Sequence, residues 1–207
     1  MSSVVIAGDT SGSVTLQAPA TAGSPILTLP TTSGTLLTSA TNNISASNIT
    51  TGTLPYAQLP TGSVLQVVQA STTSRTAVSN TSTYAATSLT ASITPKFATS
   101  KILVLIVAGS YIQRIGTGLA DFGMGFAIYR NGSSVFQDST AYNGLYISTV
   151  SANVVDNVRS HISTNYLDSP ATTSSTTYTL YINAYQGNSA IGDGTAPSTI
   201  TLMEIAG

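Results

Sequence analysis

From residue 64 onward the apolar positions of this chain recur with a period of two, the period of a strand, rather than the 3.6 of a helix. "SVLQVVQA" (63–70) alternates, and so does "YAATSLTASI" (84–93) between Leu89 and Ile93. "KILVLIVAGS" (101–110) is continuously apolar, which predicts a central strand buried on both faces. "FGMGFAIYR" (122–130) sets Phe122, Met124, Phe126 and Ile128 on one face. The Asn131-Gly132 pair that follows predicts a two-residue hairpin turn, since both positions of such a turn need positive φ, and "SSVFQD" (133–138) returns as the partner strand. Further strands are predicted at 144–150, 154–163 and 198–205, and at 176–185, where Tyr178, Leu180, Ile182 and Ala184 face one way and Thr179, Tyr181, Asn183 and Tyr185 the other. About nine strands without a helix predict an all-β antiparallel sandwich or jelly roll.

The preceding residues read differently. Short extended pieces at Val4–Ile6, Val14–Leu16, Ile26–Leu29 and Leu36–Leu37 are separated by Gly8, Gly12, Pro19, Gly23, Pro25, Pro30 and Gly34, residues that supply turns and fix φ. None is long enough to bury its own apolar side chains, and a lone hairpin is marginal in water. The stretch "NITTGTLPYAQLPTG" (48–62) then carries Ile49, Leu54, Tyr56 and Leu59, with prolines at 55 and 60 and no charge. It reads either as a flexible Ser/Thr-rich linker or as a segment that buries those side chains against copies of itself. An aliphatic residue every few positions favours the second, and the prolines lower the entropy lost on ordering.

Composition sharpens this division. Only 6% of the 207 residues are charged, against roughly 25% in an average domain, while 42% are hydrophobic and the mean hydropathy is +0.26. That is not the low-hydrophobicity, high-charge signature of disorder. Before residue 63 the only charged side chain is Asp9 and the only aromatic is Tyr56. The expected organisation is an arm (1–47), a neck (48–63) and a β domain (64–207). The longest apolar run, Ile102 to Ala108, falls far short of the roughly 20 residues of a spanning helix, so no membrane insertion is expected. The opening MSSVVIAGDT lacks the basic and apolar regions of a secretory signal. Lys and Arg at 75, 96, 101, 114, 130 and 159 form no stripe, which argues against a nucleic-acid partner. There is no cysteine, and the acids at 9, 121, 138, 156, 168, 193 and 204 are dispersed, so neither metal nor cofactor is expected.

"VVIAGDTSGSVTLQAPATAGSPILTLPTTSGTLLT" (4–38) with "NITTGTLPYAQLPTGSVLQVVQ" (48–69) resembles the low-complexity start and neck of bacteriophage fibre and appendage proteins. "ITPKFATSKILVLI" (93–106) with the final "TLMEIAG" (201–207) resembles the compact β domain that ends such chains. The resemblance implies a homotrimeric component on the virion exterior. Its N-terminal arm would dock on other virion proteins, its neck would intertwine three chains through Ile49, Leu54, Tyr56 and Leu59, and its outward knob would be a jelly roll similar to tumour-necrosis-factor-like domains. A short tail fibre and a capsid decoration protein both fit, because the leading part is shorter than the shafts of long fibres.

Enzymatic readings are weak. His161, Asp156 and Asp168 with the surrounding serines allow a Ser-His-Asp arrangement to be written down, but such a coincidence is expected in so serine-rich a chain, and no G-x-S-x-G elbow is present. Carboxylates for polysaccharide cleavage would have to meet through the fold. "GNSAIGDGTAP" (187–197) reads as a hairpin connection before it reads as a cation loop. The sequons at Asn43, Asn48, Asn80 and Asn131 arise by chance in such a composition. A knob that binds a host glycan or outer-membrane receptor would use polar and aromatic loop residues, and Tyr142, Asn143, Tyr166, Asn188 and Asp193 are the candidates.

Overall fold

A computed structural model describes residues 3–7, 13–17, 54–114, 121–137, 142, 144–148, 157–192 and 194–207. The chain divides into two units, Met1–Gly52 and Thr53–Gly207. In the first, β1 (Ser3–Ala7) and β2 (Ser13–Gln17) pair as an antiparallel hairpin in which Val5 faces Thr15. Val5 is exposed. The pieces expected at 26–29 and 36–37, and Ile49, lie outside the described residues.

The second unit opens with a single 3₁₀ turn, Tyr56–Gln58, and continues as β3 (Val64–Thr72), β4 (Thr76–Ile93), β5 (Lys101–Arg114), β6 (Phe122–Met124), β7 (Phe126–Arg130), β8 (Ser133–Gln137), β9 (Leu145–Ile147), β10 (Asn157–Asp168), β11 (Thr176–Ile191) and β12 (Ser198–Ile205). Every pairing is antiparallel. No helix among the described residues is long and apolar enough to cross a membrane. Asn131 and Gly132 both have positive φ (48° and 82°), the condition for the two-residue turn between β7 and β8.

Strand order defines two layers. β10 occupies one edge of β5 along 102–113, and β12 occupies the other along 101–107 with β3 beyond it, giving β3-β12-β5-β10. β4 runs along one edge of β11, and β7 with β8 beyond it occupies the other, giving β4-β11-β7-β8. First strand beside last, and second beside next-to-last, is the jelly-roll arrangement. The expected fold class is therefore the observed one. The core lies between the layers and comprises Leu89, Ala91 and Ile93 of β4, Ile102, Val104 and Ile106 of β5, Tyr178, Leu180 and Ile182 of β11, and Ile200 and Leu202 of β12.

The layers are joined at one end because β11 leaves its neighbour β7 and pairs with β5 through Gly187–Ile191 against 114–110. Gln186 has a positive φ of 48°, and a Cβ on Gly187 would lie 2.5 Å from the Gln113 carbonyl oxygen and 3.2 Å from the Phe122 Cβ. The corner is built from a bulge and a residue without a side chain, as strands that switch layers require.

Two expectations need correction. β5 is buried on one face only: Ile102, Val104, Ile106 and Ala108 face the core, whereas Leu103 and Leu105 are half-buried and Val107 is exposed on the outside. The continuous apolar run thus signals an outer face that is itself apolar. The run at 122–130 is two strands interrupted at Gly125, whose N–H donates to Asn183 Oδ1 at 2.7 Å.

Candidate functional site

The five residues singled out from sequence do not form one site. Tyr142 packs against Tyr146 (ring centroids 4.8 Å apart) and Tyr185 (4.7 Å). Gly123 makes room for this cluster, since a Cβ there would lie 2.8 Å from the Tyr142 Cβ. Tyr146 also donates to Asp121, and that bond raises its phenol above the ordinary range. Tyr166 is in β10 rather than a loop and packs on Phe136 at the core margin, 5.6 Å between ring centroids. Asn188 is in β11, where its Nδ2 donates to Gln113 Oε1 at 3.3 Å. Asn143 and Asp193 lie outside the described residues, as does Asp156. His161 and Asp168 do not meet: they sit seven residues apart on β10, His161 exposed and Asp168 buried, and Asp168 is committed to Arg130 and Tyr178. No group of three or more metal-ligating side chains occurs among the described residues.

Pairing places an apolar surface on the outside of the β3-β12-β5-β10 layer. In one cross-strand row Val67, Met203, Leu103 and Leu167 are neighbours; the next rows hold Gln69, Thr201, Leu105 and Asn165, then Ser71, Thr199, Val107 and Ser163. No charge occurs in these three rows. Val67, Val107 and Leu167 are 54%, 48% and 49% exposed, and Val67 and Leu167 share one row with Met203 and Leu103, so the apolar positions adjoin rather than scatter. The outer face of the other layer is unlike it. There Thr90 hydrogen-bonds Thr179 (2.8 Å) and Ser92 hydrogen-bonds Thr177 (2.7 Å), and Tyr129 stacks on Tyr181 at 3.8 Å. One layer carries a hydroxyl ladder, and the other an uncharged surface in which Val67, Met203, Leu103, Leu167, Leu105 and Val107 alternate with Gln, Asn, Ser and Thr.

Near the end of the unit where Val64 begins, Leu54 and Tyr56 are also exposed, at 48% and 45%, with the Lys96 ammonium 5.5 Å from the Tyr56 ring centre. Leu59 is half-buried. Gly62 N–H donates to the Ala206 carbonyl and Ala206 N–H to the Ser63 carbonyl, both 2.8 Å, which ties this segment to the end of β12.

Farther along the same outer face lies a cavity of about 400 Å³ lined in part by Arg75, Gly109, Tyr111, Arg159, His161 and Gly192. Tyr111 is opposite Arg159 and Gly109 opposite His161 in the β5–β10 register. The guanidinium carbons of Arg75 and Arg159 lie 5.3 Å and 5.7 Å from the centre of the Tyr111 ring. A Cβ on Gly109 would meet nothing within 4 Å, so this glycine leaves the floor of the cavity open, and its carbonyl accepts from Gly192 N–H at 2.9 Å. Sequence reading missed this grouping because its cations are 84 residues apart in the chain, at 75 and 159.

The sequence matches no protein-family model and none of the curated proteins. Among solved structures, chains from the infectious bursal disease virus VP2 subviral particle (13% identity, TM-score 0.29) and from infectious bursal virus derived T=1 particles (14%, 0.31) are similar over 69% of this chain. The infectious bursal disease virus Gx strain structure is similar over 70% of it (12%, 0.29). This chain spans only 37%, 36% and 39% of those chains, and TM-scores near 0.3 support neither a shared topology nor a shared role.

Proposed function

We propose that this protein is a non-enzymatic structural component of a bacteriophage virion: a homotrimeric short fibre, held to the particle by its N-terminal arm, with the jelly roll outward for recognition of the host surface. The observation that carries this reading is the three uncharged, half-aliphatic rows on the outer face of the β3-β12-β5-β10 layer, together with the exposed Leu54 and Tyr56 of the neck. Around a three-fold axis each charge would sit beside two copies of itself in a poorly hydrated interior, which is costly, so an axial surface is best built without charge. The resemblance of residues 4–38 and 48–69 to phage fibre starts supplies the virion assignment.

Immunogold labelling or cryo-electron microscopy of intact particles tests it. Density for a few copies at the tail supports a fibre; hundreds of copies on the shell would make it a decoration protein instead. Glycan release by the purified protein would replace both with a depolymerase.

A further inference from the structure

We propose that the cavity between Arg75, Tyr111, Arg159 and His161 is a binding site for an anionic sugar, holding the oxyanion of a carboxylated or phosphorylated saccharide. This deepens the recognition role proposed above by naming the ligand class, and its geometry belongs to a single protomer.

The chain has only six Lys and Arg and one histidine, yet two of the six and the histidine line one cavity of about 400 Å³. That volume is at the lower end of small-molecule sites, roughly 300–1,000 Å³. Neither Arg75 nor Arg159 makes an ion pair or side-chain hydrogen bond within the described residues; both are held over the Tyr111 ring, which orients a guanidinium without using its N–H donors. Two like charges over one ring repel each other, and an oxyanion between them turns that repulsion into attraction. Planar guanidinium donors match carboxylate and phosphate oxygens in pairs. Among the described residues the rest of the lining is neutral: Gly109, Ser110, Ser160, Gly192, Ala196 and the Tyr111 ring, groups that suit sugar hydroxyls and C–H faces. A nucleic-acid backbone fits less well, because the chain has only four further Lys or Arg with which to track phosphates.

Calorimetric titration of the full-length protein with glucuronate, glucose 6-phosphate and glucose tests this. Binding of at least one anionic sugar, with glucose at least about tenfold weaker and added salt weakening the anion, is the expected result. The two anions separate carboxylate from phosphate preference. Arg75→Gln and Arg159→Gln should each cost about tenfold in affinity, with Lys101→Gln, at the far end of β5, as the unaffected control. Glucose binding as tightly as the anions, or arginine variants that bind unchanged, would overturn the proposal. So would variants that alter the assembly mass instead of the affinity, because the arginines would then serve a neighbouring copy's carboxylate. Asp193 follows Gly192 in sequence, and Asp193→Asn should leave anion binding unchanged or tighter; binding that appears only in this variant would also overturn it. These measurements need no particle, so their failure leaves the virion assignment standing, and failure of that assignment leaves them standing.

Discussion

At the scale of single residues, two buried carboxylates fix the jelly roll. Asp168, at the end of β10, accepts from Arg130 Nη1 on β7 and from the Tyr178 hydroxyl on β11, both at 2.7 Å, and so joins the two layers. Asp168 is buried while Arg130 is 31% exposed, so Asp168→Asn, which weakens a charge-assisted bond of a partly exposed pair, should lower unfolding stability by about 2 kcal/mol in urea titrations. Burial, reinforced by the bond to Asp168, pushes the Tyr178 phenol far above its usual range. A folded-state pKa raised above the unfolded one gives stability that is full below the unfolded value, near 10, and is lost as pH rises beyond it. Stability should therefore fall above about pH 10, and Tyr178→Phe should remove one proton's worth of that slope. Glu204, fully buried on β12, accepts from Lys96 N–H (2.7 Å), Phe97 N–H (3.4 Å) and Gln66 Nε2 (2.6 Å), holding the loop between β4 and β5. Glu204→Gln should cost about 2 kcal/mol, because its amide nitrogen would then face either the Lys96 and Phe97 N–H groups or the Gln66 amide nitrogen, donors in both cases. Neither carboxylate's role was legible in the sequence: each occupies an alternating strand position, and its partners lie on other strands.

At the scale of elements, strands were legible and their partners were not. Period-two patterning located β3, the inner face of β11, β12 and the Asn131-Gly132 turn, because side-chain alternation is a local property of the backbone. The continuous run 101–110 was ambiguous, since local pattern does not tell a strand buried on both faces from one whose outer face awaits another chain. The structure leaves that outer face partly exposed. Leu167→Glu, at a 49% exposed position, should leave the fold intact by circular dichroism while shifting the light-scattering mass from three chains toward one of 21.1 kDa. An unchanged mass would remove this face from the interface. The corner of β11 gives an element-scale test of a different kind. Gly187→Ala places a methyl 2.5 Å from a backbone oxygen that cannot rotate away, and should cost about 2 kcal/mol in the same urea titration.

At the scale of the whole molecule, the Thr53–Gly207 unit closes its own core, whereas the β1–β2 hairpin leaves Val5 61% exposed. Deleting residues 1–47 should therefore leave a soluble jelly roll that no longer joins particles; incorporation of the truncated protein into virions would move attachment to the C-terminal unit. An assembly held by aliphatic contacts with few ion pairs should keep its light-scattering mass when salt is raised. The sequence by itself determined the all-β class, the scarcity of charge and the change of character near residue 63, because these follow from composition and from a two-residue period that needs no partner. Only the tertiary structure decided which strands adjoin, that one layer's outside gathers Val67, Met203, Leu103, Leu167, Leu105 and Val107 while the other's carries a hydroxyl ladder, and that Arg75, Arg159 and His161 share a cavity. Those facts depend on contacts between residues far apart in the chain, set by how the jelly roll brings its strands together, and no local pattern records them.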